Sequence, residues 1–184
     1  MENMKKALLV MDMQLSILSM ASESPEFINH VAKAIQSACE KQIPVIFVVL
    51  GFRNGLPEIS ENNQIFHAFK KHLENVDMSN WSAIHPDLSP EKNDIIITKR
   101  RISAFSGSDL EVVLRSQNIQ HLILTGVATS GIVLSTLREA ADKDFKLSVI
   151  SDGCLDSDQE VHEVLMRKVF PKQAEVISLE DWIM

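Results

Sequence analysis

The segment LILTGVATSGIVLST at Leu122–Thr136 carries the clearest structural signal in this 184-residue chain. An apolar run leads into Gly126, small residues follow, and a helical apolar pattern continues to Asp142. The segment predicts a strand, a sharp turn and a helix N-terminus, whose free backbone N–H groups can stabilise an oxyanion. A nucleophilic hydrolase carries Ser or Cys at such a turn, whereas the residue that opens the helix here is Ile132.

Alternating strand and helix patterns extend from this segment along the whole chain. Apolar runs predict strands at 7–11, 43–50, 94–99, 122–125, 146–150 and 174–178. Amphipathic patterns predict helices that begin at 24–25 and that span 65–73, 108–118, 131–143 and 157–169. Repeated β–α units of this length predict an α/β fold of the Rossmann type. We expect a single domain, 1–184, built as a three-layer αβα sandwich with a mostly parallel six-stranded sheet.

Three of these helices have recognisable start signals. Ser24 is expected to cap its helix, with Pro25 at the first helical position. The sequences Ser-Asp-Leu-Glu at 108–111 and Ser-Asp-Gln-Glu at 157–160 each match a capping box. Residues 51–63, between the second strand and the next helix, are expected to form a polar loop.

Composition argues against several classes of partner and location. A formal net charge of -7 disfavours binding to nucleic acid or to an anionic membrane surface. No apolar run approaches the roughly 20 residues that span a bilayer, and the N-terminal residues are typical of a first strand rather than a cleaved signal. Cys39 and Cys154 are the only cysteines, so we expect a reducing, cytoplasmic environment.

The candidate site lies at the carboxyl ends of the predicted strands, where ligands bind in folds of this kind. These ends carry Asp12, Gly51, Lys99, Gly126 and Asp152. The Asp12 carboxylate can orient or deprotonate a reacting group, although its position alone favours a surface residue in a βα turn or a helix cap. An ammonium at the same rim, that of Lys99, would keep Asp12 ionised and stabilise developing negative charge. The alternative for Lys99 is a solvated basic cluster with Arg100 and Arg101.

Other polar residues give weaker signals. Gln14 could hold Asp12 or a polar group of a substrate. Cys154 follows the fifth predicted strand, where packing is a commoner role for a free cysteine than reactivity. His67 and His72 lie on different faces of their predicted helix, so they are not expected to share a metal. The chain also lacks the glycine motifs that bind dinucleotides or nucleotide phosphates.

Four motifs, in this order, resemble those of the isochorismatase-like family of cysteine hydrolases, which includes nicotinamidases, N-carbamoyl amidohydrolases and true isochorismatases. The motifs are LLVMDMQ at 8–14, TKRRISAFSGSDLEVVL at 98–114, LTGVATSGIVLSTLREA at 124–140 and SVISDGC at 148–154. The resemblance covers nearly the whole chain and implies the same α/β fold.

The resemblance also implies roles for individual residues. Asp12 would be the base and Lys99 the electrostatic partner in a triad whose third member is a cysteine, and Ile132 stands at that cysteine's position. The backbone N–H groups of Ala128 and Ile132 would form the oxyanion hole, beside a cis peptide bond between Val127 and Ala128. True isochorismatases also lack the cysteine and hydrolyse a vinyl ether with the Asp as acid, but they carry a glycine there.

These observations predict an isochorismatase-like hydrolase that acts on a small polar or carboxylate-bearing metabolite through an Asp/Lys site without the usual cysteine. The alternative is a non-catalytic member that binds a small metabolite or a protein partner; Asp12 and Lys99 favour chemistry, whereas Ile132 favours binding. The expected substrate-binding residues, with the arginines as partners of a substrate carboxylate, are Gln14, Arg53, Trp81, Arg100, Arg101, Thr129 and Ser130.

The resemblance bears on cofactors and assembly as well. Family members that bind metal use Asp and His after the second strand, and the corresponding segment GFRNGLPE at 51–58 contains no histidine. We therefore expect no metal and no other cofactor. The resemblance implies a homo-oligomer.

Overall fold

A single parallel sheet organises the chain. The computed structural model describes residues 4–21, 24–74, 76–88 and 90–184. The strands are β1 (Lys6–Met11), β2 (Val45–Leu50), β3 (Ile95–Lys99), β4 (His121–Val127), β5 (Lys146–Leu155) and β6 (Glu175–Ile177). All neighbouring strands pair in parallel, in the order β3-β2-β1-β4-β5-β6. The prediction of an α/β fold with a mostly parallel six-stranded sheet is confirmed.

Helices cover both faces of this sheet. They are α1 (Leu15–Ala21), α2 (Pro25–Glu40), α3 (Gln64–Leu73), α4 (Met78–Trp81), α5 (Leu110–Ser116), α6 (Leu134–Asp142), α7 (Gln159–Val164) and α8 (Leu179–Ile183). A π-helical turn, Thr129–Val133, leads into α6, and another, Leu165–Val169, follows α7. Among the described residues, no helix is long and apolar enough to cross a membrane.

Of the three hydrophobic clusters among the described residues, the two that contain side chains of β1 follow from the alternation along that strand. Leu8 and Val10 pack into the core on the α2 and α8 side, which also contains Val31. Leu9 and Met11 pack into the core on the α5 and α6 side. Because successive side chains of a strand point to opposite faces, an apolar run without alternation must be buried on both sides. The residues of β1 that precede Asp12 therefore hold that carboxylate at the centre of the sheet.

Helix starts differ in part from the predicted ones. Ser24 caps α2 as expected, since its side chain accepts a hydrogen bond from the backbone N–H of Phe27 at 3.2 Å. The predicted capping box at 108–111 is wrong: the helix begins at Leu110 without a side-chain cap at Asp109. The Ser108 hydroxyl donates to the Ala104 carbonyl at 2.6 Å and accepts the backbone N–H of Leu110 at 3.3 Å.

The predicted capping box at 157–160 is also shifted by one residue. Asp158 caps α7, and its carboxylate accepts from the backbone N–H groups of Glu160 and Val161. A carboxylate two residues before the first free N–H groups satisfies them as well as the predicted serine would. An unpredicted capping box, formed by Ser178 and Asp181, opens α8.

The fifth strand is longer than predicted, which removes one residue from the candidate site. It continues to Leu155 through an irregularity in its pairing with β4 between Leu124 and Gly126. Asp152 therefore lies within β5 rather than at its end, and its carboxylate accepts the backbone N–H of Leu179 at 2.7 Å. Asp152 anchors the start of α8 and is not part of the edge that carries Asp12.

We expect Gly126→Ala to lower the free energy of unfolding by about 1–3 kcal/mol, as overpacking of a filled core does. A Cβ atom at position 126 would lie 3.0 Å from the Met11 carbonyl oxygen and 3.2 Å from Cγ2 of Val133. The matched control is Gly131→Ala, whose Cβ would meet only Ala128 Cβ, at 3.8 Å. Urea denaturation should show a lower midpoint for the first variant only; an equal loss in both would contradict this packing argument.

Candidate active site

Asp12 lies at the centre of the sheet's carboxyl edge. It follows β1, which lies between β2 and β4 in the sheet. The chain passes from β1 to β2 on one side and later returns to form β4 on the other side. Such a point in a parallel sheet leaves a crevice for ligands. The Asp12 backbone has φ of 56°, in the left-handed region that Asp tolerates better than most residues, and its N–H donates to the Val48 carbonyl at 2.8 Å. Asp12 in this turn is buried, with 5% of the residue exposed.

Lys99 reaches Asp12 from two strands away. It ends β3, and β2 lies between β3 and β1 in the sheet. Neighbouring strands are about 4.8 Å apart, so only a long side chain can cross the end of β2. Lys99 Nζ lies 3.0 Å from Asp12 Oδ2 and donates to the Arg101 carbonyl at 2.9 Å. With its side chain 1% exposed, Lys99 is part of a buried ion pair and not of a solvated basic cluster.

The environment makes Asp12 titrate close to neutrality. The pKa of its carboxyl lies at about 6, above the ordinary value of 3.8. Burial raises this pKa, and the neighbouring Lys99 ammonium offsets part of the rise. Since the pKa in the folded protein lies above 3.8, the folded state binds this proton more tightly than the unfolded state does. The contribution of Asp12 to stability therefore falls as the pH rises from about 4 to about 6. The second oxygen, Oδ1, is buried and has no hydrogen-bond partner among the described residues.

The strand–turn–helix segment lies beside this pair. The peptide bond between Val127 and Ala128 is cis, as the resemblance implies. Ile132 lies in the π-helical turn that follows and is 2% exposed. Its side chain belongs to the same core cluster as Met11. A branched alkyl side chain therefore stands in the turn between β4 and α6.

One cavity of about 220 Å³ brings Asp12, Lys99 and Ile132 together. The remainder of its wall is apolar, and most of these apolar residues were not predicted as part of the site. They are Ile17, Met20, Leu50, Phe52, Ile65, Phe66, Phe69, Leu73, Trp81, Ile102, Val127, Ala128 and Gly131. Phe66, Phe69 and Leu73 recur at helical spacing on α3, a pattern that signals an apolar face but not what covers it.

Gln14 joins backbone groups of two segments in the structure. Its amide group donates to the carbonyls of Leu50 at 3.0 Å and of Trp81 at 2.9 Å. Its oxygen accepts the backbone N–H of Leu50. The fully buried amide thus uses both of its donors and one oxygen lone pair on backbone groups. Gln14 therefore fixes the end of β2 and the position of Trp81.

The three arginines expected to bind a substrate carboxylate do not line the cavity. They gather around Glu58 instead. Arg53 and Arg100 form ion pairs with the Glu58 carboxylate, and Arg101 donates to the Glu58 carbonyl at 2.9 Å. The Arg100 guanidinium also donates to the Gly51 carbonyl. An acidic residue within the loop at 51–63 is therefore the partner that these cations have in the structure.

Thr129 and Ser130 also lie outside the cavity wall. Thr129 is fully buried, and its hydroxyl is 2.8 Å from Nδ1 of His162. The backbone N–H of Ser130 donates to Oδ2 of Asp156 at 2.7 Å. His162 and Asp156 were not predicted to contact the turn, and they hold it from the β5–α7 side. Of the seven residues expected to bind substrate, only Trp81 lines the cavity.

Cys154 is a packing residue. It is 5% exposed and belongs to the core on the α5 and α6 side. Burial raises the pKa of its thiol to about 12, so it carries almost no thiolate at neutral pH. Cys39, the other cysteine, is exposed on α2.

A parallel sheet with polar groups at its carboxyl edge is the arrangement in which α/β proteins bind ligands at that edge. The model of the isochorismatase domain matches residues 6–181. The chain belongs to the isochorismatase family.

Relatives of known sequence agree with this membership. The chain is 30% identical to the isochorismatase family protein YecD of Escherichia coli O157:H7, over 95% of this chain and 93% of that protein. It is 31% identical to the ureidoacrylate amidohydrolase RutB of Yersinia enterocolitica, over 80% and 74%. It is also 31% identical to an N-carbamoylsarcosine amidase of Arthrobacter sp, over 65% and 46%. These relatives support a hydrolase of a small metabolite.

Solved structures give the same fold. An isochorismatase family protein from Burkholderia thailandensis has a TM-score of 0.82 and 26% identity, covering 97% of this chain and 94% of that one. A cysteine hydrolase from Pseudomonas syringae pv. phaseolicola has a TM-score of 0.85 and 20% identity, covering 97% and 91%.

We expect the Asp12 carboxyl to titrate near pH 6 when followed by carbon-13 NMR, and Lys99→Met to raise its pKa further. The reason is that Lys99 lowers this pKa, so its removal leaves only the effect of burial. Lys143→Met is the control, because Lys143 pairs with the distant Glu111. A wild-type carboxyl that titrates near 4 would contradict the burial argument even if the Lys99 variant fails to fold.

Proposed function

We propose that the chain forms one isochorismatase-like domain, 1–184, which hydrolyses a small metabolite at Asp12 and Lys99 without a cysteine nucleophile. The observation that carries the proposal is the buried ion pair at 3.0 Å, in the same cavity as Ile132. A structural protein gains little from such a pair, because the cost of burying two charges can exceed their attraction. A homo-oligomeric state and a cytoplasmic location belong to the proposal as well.

For an amide or carbamoyl substrate, Asp12 acts as a general base. Its carboxylate accepts a proton from a water molecule, and the water oxygen forms a bond to the carbonyl carbon. The Lys99 ammonium stabilises the negative charge that develops on the substrate. The C–N bond then breaks, and Asp12 returns the proton to the leaving nitrogen. The amidase and amidohydrolase names of two relatives support this class of substrate.

For a vinyl ether, Asp12 acts as a general acid. The protonated carboxyl donates its proton to the terminal vinyl carbon, water adds to the resulting oxocarbenium carbon, and the hemiketal breaks down to a carbonyl compound and an alcohol. With a pKa of about 6, roughly a tenth of the Asp12 side chains are protonated at pH 7. This route also requires no nucleophile on the protein.

The pH dependence of kcat/KM distinguishes the two routes, since both depend on the carboxyl group that titrates near pH 6. We expect the rate to rise with pH through this value if Asp12 is the base, and to fall if it is the acid. Asp12→Asn should lower turnover at least about a hundredfold in either case, the usual size of a general acid–base contribution. The substrates to test are an amide, a carbamoyl compound and a vinyl ether.

The control for this experiment is the double variant Cys39→Ala with Cys154→Ala, which should retain turnover within about twofold. Its outcome tests the cysteine-free mechanism directly. Loss of turnover in the double variant, with the fold retained, would contradict that mechanism. Turnover that is unaffected by Asp12→Asn would contradict the role of the carboxylate.

Ile132 specifically favours a second candidate, a non-catalytic protein that binds a metabolite or a partner at this cavity. A buried isoleucine occupies the space that an attacking atom would need. In that case the Asp12–Lys99 pair would recognise a ligand without changing it. The two candidates differ in whether the surroundings of Ile132 can activate a nucleophile.

We expect Ile132→Cys to give a thiol that reacts faster with iodoacetamide than the native cysteines do. The nearby Lys99 ammonium favours a thiolate, whose pKa should fall below the usual value of about 8.5. The substitution should cost about 1 kcal/mol of stability, which the fold tolerates. Mass spectrometry of the labelled peptides compares position 132 with Cys39 and Cys154 in one sample. A thiol at 132 as inert as buried Cys154 would favour the binding protein.

A further inference from the structure

We propose that the amino edge of the sheet, opposite to the edge that carries Asp12, binds a small anion of the phosphate or polyphosphate class between Lys6 and Lys146. The six residues of β1, Lys6–Met11, separate the two edges. At the usual rise of a strand this is a distance of about 20 Å. The proposal therefore concerns a second site, and it holds whether or not the protein is a hydrolase.

The strand register brings the two lysines into one row. Lys6 on β1 pairs with His121 on β4, and His121 pairs in turn with Lys146 on β5. Register partners of a parallel sheet point to the same face, and neighbouring strands are about 4.8 Å apart, so the two lysine backbones lie about 10 Å from each other. Both side chains are long and end in a point charge, so one anion between them can contact both ammonium groups.

A cavity of about 570 Å³, here called the amino-edge cleft, is lined by this row. Its lining also includes Ile123 and Ser148, one step further along β4 and β5, and Trp182 of α8. These three residues and His121 are all buried. The volume lies within the range of about 300–1,000 Å³ that is typical of small-molecule sites. The row of lysines therefore borders a cleft with a buried lining and not a flat, solvated surface.

Lys6 and Lys146 have no countercharge of their own. Neither forms an ion pair with another described residue. Of the acidic residues in the cleft, Asp181 accepts the backbone N–H and the hydroxyl of Ser178 at 3.0 and 2.7 Å, and Glu175 lies on the edge strand β6. Like charges that face each other across a sheet destabilise it. An anion from solution would supply the missing countercharge.

Lys41 adds a third cation from the C-terminal end of α2. Its ammonium donates to the Trp182 carbonyl and lies 5.0 Å from the centroid of the indole ring, so it is held at the wall of the cleft. A second cavity of about 630 Å³ shares Lys6 and Lys41 with the cleft, adds Lys5, and has no acidic residue in its described lining. Positive charge is thus concentrated along this edge of a chain whose net charge is -7.

His121 senses the charge of the cleft. It is 6% exposed, and its Nε2 lies 2.9 Å from the Ser148 hydroxyl. Burial and the positive charges of Lys146 and Lys6 lower the pKa of its imidazole to about 4. An anion held between the two lysines would offset their effect. The pKa of His121 should therefore rise when the cleft is filled.

The net negative charge of the chain restricts the size of the anion. A long polyanion such as nucleic acid would extend beyond the cleft and meet the acidic remainder of the protein, which repels it. A phosphate or polyphosphate group is small enough to contact the lysines alone, and lysine is a common ligand of phosphate. The charge distribution therefore favours a small anion over a macromolecule.

Isothermal titration calorimetry with inorganic pyrophosphate, at low ionic strength and without divalent cations, tests the proposal. We expect Lys6→Met and Lys146→Met each to weaken binding at least about tenfold, the worth of a hydrogen bond to a charged group. The matched control is Lys33→Met, since Lys33 is exposed on α2 outside the cleft; its affinity should stay within about twofold. Absence of pyrophosphate binding to the wild-type protein, or an equal loss in all three variants, would overturn the proposal.

The titration of His121, followed by NMR of the wild-type protein, locates the anion independently of the variants. Saturating pyrophosphate should raise the pKa of His121 and leave that of His162, which contacts Thr129 at the opposite edge, unchanged. An unchanged pKa of His121 would place the anion elsewhere and overturn the proposal. Tighter binding of a single-stranded oligonucleotide than of pyrophosphate would also overturn it, in favour of a nucleic-acid surface. Since Lys6 and Lys146 are exposed, both variants should fold; if one does not, the titration of His121 decides.

Discussion

The buried ion pair between Asp12 and Lys99 is the constraint on which the rest of the carboxyl edge depends. Two charges withdrawn from water are stable only when their geometry and their other hydrogen bonds are well satisfied. The strand order supplies that geometry by placing only β2 between β3 and β1, a distance within the reach of a lysine but not of a shorter side chain. The Arg101 carbonyl supplies a second acceptor for the ammonium. The second Asp12 oxygen, Oδ1, is buried and has no hydrogen-bond partner among the described residues.

Ile132 changes the chemistry open to this pair. A thiolate beside Lys99 would form a covalent intermediate, and Asp12 would then serve mainly to move its proton. Under the proposed function, an alkyl group at that position leaves Asp12 to act on water or on the substrate itself. Its pKa of about 6 suits either task, because both protonation states are populated near neutrality. Burial of the carboxyl group keeps this pKa high.

The residues that the sequence predicts well are those whose position follows from strand periodicity. Asp12 and Lys99 come directly after apolar runs, and the carboxyl ends of parallel strands converge, so their proximity can be anticipated. The contacts of the arginines could not be predicted in this way, because their partner, Glu58, lies in a loop that has neither strand nor helix periodicity. The backbone bonds of Gln14 could not be predicted for a related reason, since they join segments that lie far apart in the sequence.

The apolar wall was the part of the site least accessible from sequence. Phe66 and Phe69 on α3 have the spacing of an ordinary amphipathic helix, and the pattern that buries such a face is the same whether it covers a core or a cavity. A core and a cavity differ in whether other side chains pack against that face. Trp81 shows this most clearly, since its main chain is tied down by Gln14 while its indole N–H has no partner in the described protein. A buried donor without a partner is uncommon in proteins, so a pattern that indicates a packed aromatic residue does not predict one.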